Sequence, residues 1–144
     1  MTCPLAKPKY AVAVEPLPRG ELICGGTVEG RPLAWKEDRP GACVRRRQQS
    51  KNYREWKRAV AKAVRAFMDG RKPYPHPAFI EAVFFVRPAA NPVDNPDWDN
   101  LMKGFQDCLK RIVFPDDGVV QGGTGIRSFT SVEAERVEFK VTAA

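Results

Sequence analysis

Histidine is nearly missing from this chain, with His76 alone, and its four cysteines (Cys3, Cys24, Cys43 and Cys108) form no C-x-x-C pair. No ligand spacing for structural zinc is therefore present, and cysteines scattered in this way are expected as free thiols. No apolar run approaches the roughly 20 residues that a membrane-spanning helix needs. The opening Met-Thr-Cys-Pro-Leu-Ala-Lys also lacks the apolar stretch of a secretory signal. These absences predict a soluble, cytoplasmic protein with no membrane partner. No internal repeat is visible either, which excludes solenoid and propeller architectures.

What is there suits one globular domain over residues 1–144. A 43% hydrophobic composition with eight Phe and three Trp can build a core, while thirteen Pro and eleven Gly predict long irregular connections. Lys9 to Glu15 reads as a first strand, stopped by Pro16 and Pro18. Residues 16–45 read as an irregular Gly/Pro-rich insertion, in which 22–24 and 32–35 could form short hairpin strands or a loop. Tyr53, Trp56, Val60, Val64 and Phe67 recur at steps of three and four, predicting a helix with Ser50 as N-cap and Gly70 as stop.

Phe79 to Val86 is the strongest strand pattern, apolar enough for a central position. A loop over 88–96 leads to a second helix with Leu101, Phe105, Cys108, Leu109 and Ile112 on its apolar face and Asp97 or Asp99 as its cap. A turn at Pro115–Gly118 and two strands, about 119–129 and 132–141, complete the chain. The order predicts a small α+β domain, a mixed β-sheet with two main helices packed on it.

Charge is divided unevenly. Residues 1–76 hold 17 Lys/Arg against 7 Asp/Glu, a net of +10, and residues 77–144 hold 7 against 10, a net of −3. A basic half joined to an acidic cluster suits a protein that attracts a polyanion and holds a cation against it, although a basic surface also serves solubility alone. Arg45, Arg46 and Arg47 precede the first predicted helix, and Lys51, Arg54 and Arg58 follow on its polar face. With Arg127 they are the candidate DNA-binding residues.

The acidic cluster is Asp97-Trp-Asp99-Asn100, with Lys103 four residues after Asp99 and Asp116-Asp117 beyond the helix. Carboxylates brought together repel one another, and a divalent cation removes that cost. Mg²⁺ takes a few carboxylates plus water and phosphate oxygens, so an Asp cluster without His or Cys suits it, with Mn²⁺ as a substitute. Each element also has a bland reading: helix capping for Asp97 and Asp99, an ordinary i,i+4 pair for Asp99 and Lys103, and a turn for Asp116-Asp117-Gly118.

The full pattern, Asp97-x-Asp99-Asn100-Leu101-x-Lys103-x-x-x-Asp107-x-Leu109 followed by Ile112-Val113-Phe114-x-Asp116-Asp117, resembles the signature of the RusA family of Holliday-junction resolvases. The match is strong over about residues 94–120 and fades before the first helix. The resemblance implies a homodimeric, Mg²⁺-dependent crossover junction endodeoxyribonuclease acting on four-way DNA in recombination and repair, in a bacterial cell or a phage-infected host. It implies Asp97, Asp99 and Asp117 as metal ligands and Lys103 as the catalytic lysine, with Asn100, Asp107 and Asp116 in supporting roles. Departures are Arg111, where the family has Gly, and Gly118-Val119, where it has Ser-Gln. The rival readings are a less selective metal nuclease on branched or single-stranded DNA and a non-catalytic basic DNA-binding protein.

Overall fold

A computed structural model describes residues 14–34 and 44–144. In chain order they form β1 (Leu22–Glu29), α1 (Val44–Met68), β2 (Ala78–Val86), α2 (Trp98–Leu109), β3 (Val120–Phe129) and β4 (Arg136–Ala143). The four strands make one mixed sheet in the order β1-β4-β2-β3. β4 runs antiparallel to both β1 and β2, whereas β2 and β3 are parallel and joined through α2. The chain is therefore a small α+β domain, with β2 central as its apolar run implies.

Alternation decides what each sheet face does. Ala78, Ile80, Ala82, Phe84 and Val86 of β2 are buried, and the residues between them are half-exposed. The buried set faces α1 and α2. There Phe105 of α2 meets the rings of Phe84 (5.8 Å) and Phe139 (5.1 Å) edge-on, the arrangement that aromatic quadrupoles favour. The opposite face carries the Glu81–Lys140 ion pair at 3.1 Å and Arg136 stacked 3.9 Å from the Phe85 ring centroid.

Tyr53, Trp56, Val60 and Val64 are all buried, joined by Met68, and Phe67 packs half-buried beside Phe139. The helix starts six residues earlier than Ser50, because nothing in Val44–Gln49 breaks it and Arg and Gln are good helix formers. At its other end Asp69 (φ 48°) and Gly70 (φ 75°) turn left-handed and end it as expected.

Two expectations change in the N-terminal third. The stretch read as an irregular insertion contains β1, an eight-residue edge strand paired with β4 rather than half of a local hairpin. Its glycines hide it: a Cβ on Gly26 would stand 2.8 Å from the Phe67 ring, so the strand needs glycine where α1 presses on it. Lys9–Ala13 of the expected first strand, Trp35 and the cysteines Cys3 and Cys43 lie outside the described residues; Val14 and Glu15 are not in a strand. Cys24 and Cys108 are free and buried. No helix is long and apolar enough to cross a membrane, among the described residues.

Candidate active site

The loop from β2 to α2 is tied by its own asparagines. Asn95 accepts from the Ala89 amide (2.7 Å), and Asn91 accepts from the Val93 amide at the start of a 3₁₀ turn over Pro92–Asp94. Two bonds from β3 then fix where α2 begins. Arg127 donates to the Pro96 carbonyl at 2.8 Å, and the Trp98 indole donates to the Gly125 carbonyl at 2.7 Å. Asp97, between those anchors, occupies the N-cap position of α2, but its carboxylate makes no capping bond. The Asp97 Oδ2 instead accepts from the Asn100 side chain at 3.3 Å, and Asp99 Oδ1 accepts from the Asn100 amide at 3.0 Å. Both aspartates are exposed, and Lys103 is exposed one turn further along α2.

The second acidic element follows α2. Asp116 caps a 3₁₀ turn over Asp117–Val119, accepting the Asp117 amide at 2.7 Å. That bond, followed by the charge of Lys110, holds the Asp116 carboxyl below the usual carboxylate range. The two neighbours differ sharply. Lys110 reaches Asp116 at 3.5 Å and Asp117 Oδ2 at 3.9 Å, while Asp117 Oδ1 is buried with no hydrogen-bond partner. A buried carboxylate oxygen without a partner is costly unless something cationic occupies its free side.

The cluster that the sequence suggests is divided in space. Asp97 and Asp99 stand at the N-terminal end of α2 and Asp117 lies beyond its C-terminal end, so most of a twelve-residue helix, about 18 Å long, lies between them. Among the described residues no three His, Cys, Asp or Glu side chains gather closely enough to hold a metal ion. Asn100 does lie with Asp97, and Asp116 beside Asp117. Asp107 is half-buried near Cys108, facing α1 rather than either aspartate group.

The basic candidates fall in several places. Arg45, Arg46 and Arg47 lie on α1 rather than before it; the side chains of Arg45 and Arg46 are outside the described residues, and Arg47 is exposed. Lys51 pairs with Glu55 (3.8 Å), and Arg54 and Arg58 are exposed on the same helix. Arg127 braces Pro96 and stacks over Phe129 (5.4 Å), which makes it a strut for the Asp97 loop. Sequence reasoning misses three residues here: the anchor Trp98, the strut role of Arg127, and Lys110. No spacing rule reports them, because each acts across an element boundary.

The family model described as Endodeoxyribonuclease RusA matches residues 30–142, most of the chain and all of the site residues above. No curated protein matches the chain.

Proposed function

The chain belongs to the endodeoxyribonuclease RusA family, and on that premise we propose that it is a divalent-metal-dependent endonuclease that resolves four-way DNA junctions as a homodimer. The observation that carries the reading is the match over residues 30–142, which takes in Asp97, Asp99, Lys103 and Asp117 together. Support for a metal comes from Asp117, whose buried, unpartnered Oδ1 fits a hard cation such as Mg²⁺. Asp97 and Asp99 add two exposed carboxylates of the same chemistry.

The separation along α2 then bears on how such a centre is assembled. A two-fold axis crossing α2 near its middle sets a second copy of the helix antiparallel beside the first. Asp97 and Asp99 of one chain then approach Asp117 of its partner, and the same contact occurs twice. Two identical centres related by a two-fold axis suit a junction that needs matched cuts on two strands. The edge strand β3 and its surroundings leave Trp98, Ile126 and Phe129 about half exposed, apolar surface available to a second copy.

In this reading Asp97, Asp99 and Asp117 would hold Mg²⁺ or Mn²⁺, which when bound would supply Lewis-acid activation of water and offset charge on the phosphate. The rest is done by the chain. Asn100 fixes the Asp97 carboxylate, Arg127 and Trp98 hold the Asp97 loop against β3, and Asp116 shapes the turn that presents Asp117. Lys103 is the cation for the scissile phosphate, where loss of one such charge costs roughly 10²–10³ in rate.

Cleavage of a synthetic four-way junction, compared with a flap, a single strand and linear duplex, tests the reading. Paired cuts in the junction that need Mg²⁺ and stop with EDTA are expected. Equal cutting of all substrates would favour the less selective nuclease, and binding without cutting would leave only a basic DNA-binding protein.

A further inference from the structure

A second charged feature lies away from both aspartate groups. Between α1 and the C-terminal end of α2 runs a cleft of about 420 Å³, lined by Lys57, Ala61, Arg65, Lys110 and Arg111 with Asp107 as its one carboxylate. Lys57, Ala61 and Arg65 follow one another at steps of four, so they form one wall of the cleft, with the small Ala61 leaving its middle open. Four cations against one carboxylate give the cleft a net charge of +3. Among the described residues no ion pair within 4 Å engages Lys57, Arg65 or Arg111, although the charge of Arg111 adds to that of Lys110 in favouring the ionised Asp116 carboxylate. Cations next to the C-terminal end of a helix offset its dipole, which accounts for Lys110 and Arg111 but not for Lys57 and Arg65.

Arg111 adds an independent observation. Its backbone is left-handed, φ 68°, a conformation that crowds the Cβ of an L residue and that glycine adopts freely. Arginine stands there nonetheless, its side chain exposed on the rim of the cleft. Arg47, Arg54, Arg58 and Arg65 succeed one another on α1 at steps of seven, four and seven, a line of guanidinium groups leading toward the same cleft. Lys110, finally, touches Asp116 and Asp117, so the cleft and the Asp117 end of the site share a wall.

We propose that this cleft is a binding site for backbone phosphates of DNA, in which Lys57, Arg65 and Arg111 hold a strand beside the Asp117 end of the active site. The proposal rests on the reading of the chain as a DNA endonuclease and adds to it a contact surface separate from the aspartates. Phosphate is the matching chemistry. It is a dispersed anion that guanidinium and ammonium groups grip without a base-specific partner, and Asp107 is the one carboxylate lining the cleft.

The test is the salt dependence of junction binding, measured without divalent cation so that nothing is cut. Wild type is compared with Arg111→Gly, with Lys57→Gln/Arg65→Gln, and with Lys140→Gln, which removes one charge from the opposite face of the sheet. Each lost phosphate contact lowers the slope of log K against log salt by about 0.9 on duplex DNA. Arg111→Gly is expected to lower it by about one such step, and the double variant by about two. Lys140→Gln should leave it unchanged. Because glycine suits the left-handed backbone, Arg111→Gly should fold at least as well as wild type, so weaker binding cannot come from misfolding. Wild-type slopes in both cleft variants would overturn the proposal while leaving the endonuclease reading intact. A wild-type protein that does not bind the junction would overturn both.

Discussion

Asp117 keeps one carboxylate oxygen near Lys110 and buries the other without a partner, whereas Asp116 spends its carboxylate on the backbone of its own turn. That difference decides which of two adjacent aspartates is available to a ligand. Asp117→Asn is expected to abolish cleavage while junction binding persists, and Asp116→Asn to keep measurable cutting; the reverse order in a junction assay would exchange their roles. Arg127 carries an equally specific expectation. As a strut on Pro96 it should affect rate, since an ångström of misplacement in a reacting group costs up to about 10²-fold. Arg127→Ala should therefore cut at least about tenfold more slowly at saturating junction, with the salt slope of binding unchanged. A slope lowered by about 0.9 would show instead that Arg127 meets a phosphate. Cys108 illustrates burial alone: it is 2% exposed, its thiol donates to the Gly104 carbonyl, and desolvation pushes its pKa up to about 12. Cys24 is buried too and its pKa is also raised by burial. Neither should react with iodoacetamide at pH 8 in the native protein, and mass mapping that finds Cys108 labelled rapidly would contradict its packing.

At the level of elements, what the sequence makes legible follows hydrophobic period. α1, β2 and α2 are readable because Tyr53 to Val64, Ala78 to Val86 and Leu101 to Leu109 repeat their apolar residues at 3.6 or 2. β3 is read over 119–129 in spite of its glycines, but β1 is not, since there glycines stand where side chains would mark a strand. The physical reason is close approach of a helix. Phe67 lies over Gly26, and Met102 lies against Gly125, whose carbonyl also receives the Trp98 indole. Gly123→Val should force β3 off β2, because a Cβ there would run into the backbone carbonyl of Ile80. It is expected to cost about 1–3 kcal/mol in urea unfolding, with the slope against denaturant preserved, and to reduce cleavage because β3 anchors the Asp97 loop through Gly125 and Arg127. Full stability and full activity would mean that β3 is not seated on β2 through that glycine. The N-terminal extension of α1 escapes notice for another reason. A polar run with good helix propensity has no apolar period, so only the structure reveals that Arg47 shares a helix with Arg54 and Arg58.

For the molecule as a whole, the candidate residues were legible, but their arrangement was not. Asp97, Asp99 and Asp117 read as one cluster along the chain because only a short helix intervenes, yet that helix, about 18 Å long, puts the two groups at its opposite ends. Sequence spacing reports who is near whom across a turn of helix, not across a whole one. In the proposed dimer each active centre takes Asp97 and Asp99 from one copy and Asp117 from the other. Mixing an Asp97→Asn/Asp99→Asn chain with an Asp117→Asn chain tests this directly. Each variant alone should be inactive on a four-way junction. In a heterodimer one centre then gathers every lesion and the other is intact. Randomly mixed chains should thus recover about a quarter of wild-type cutting, as single nicks rather than paired cuts. Metal titration of the purified heterodimer should find one centre where wild type has two. If the mixture stays as inactive as its components and binds no metal, the carboxylates do not combine across the dimer, and the central claim is wrong.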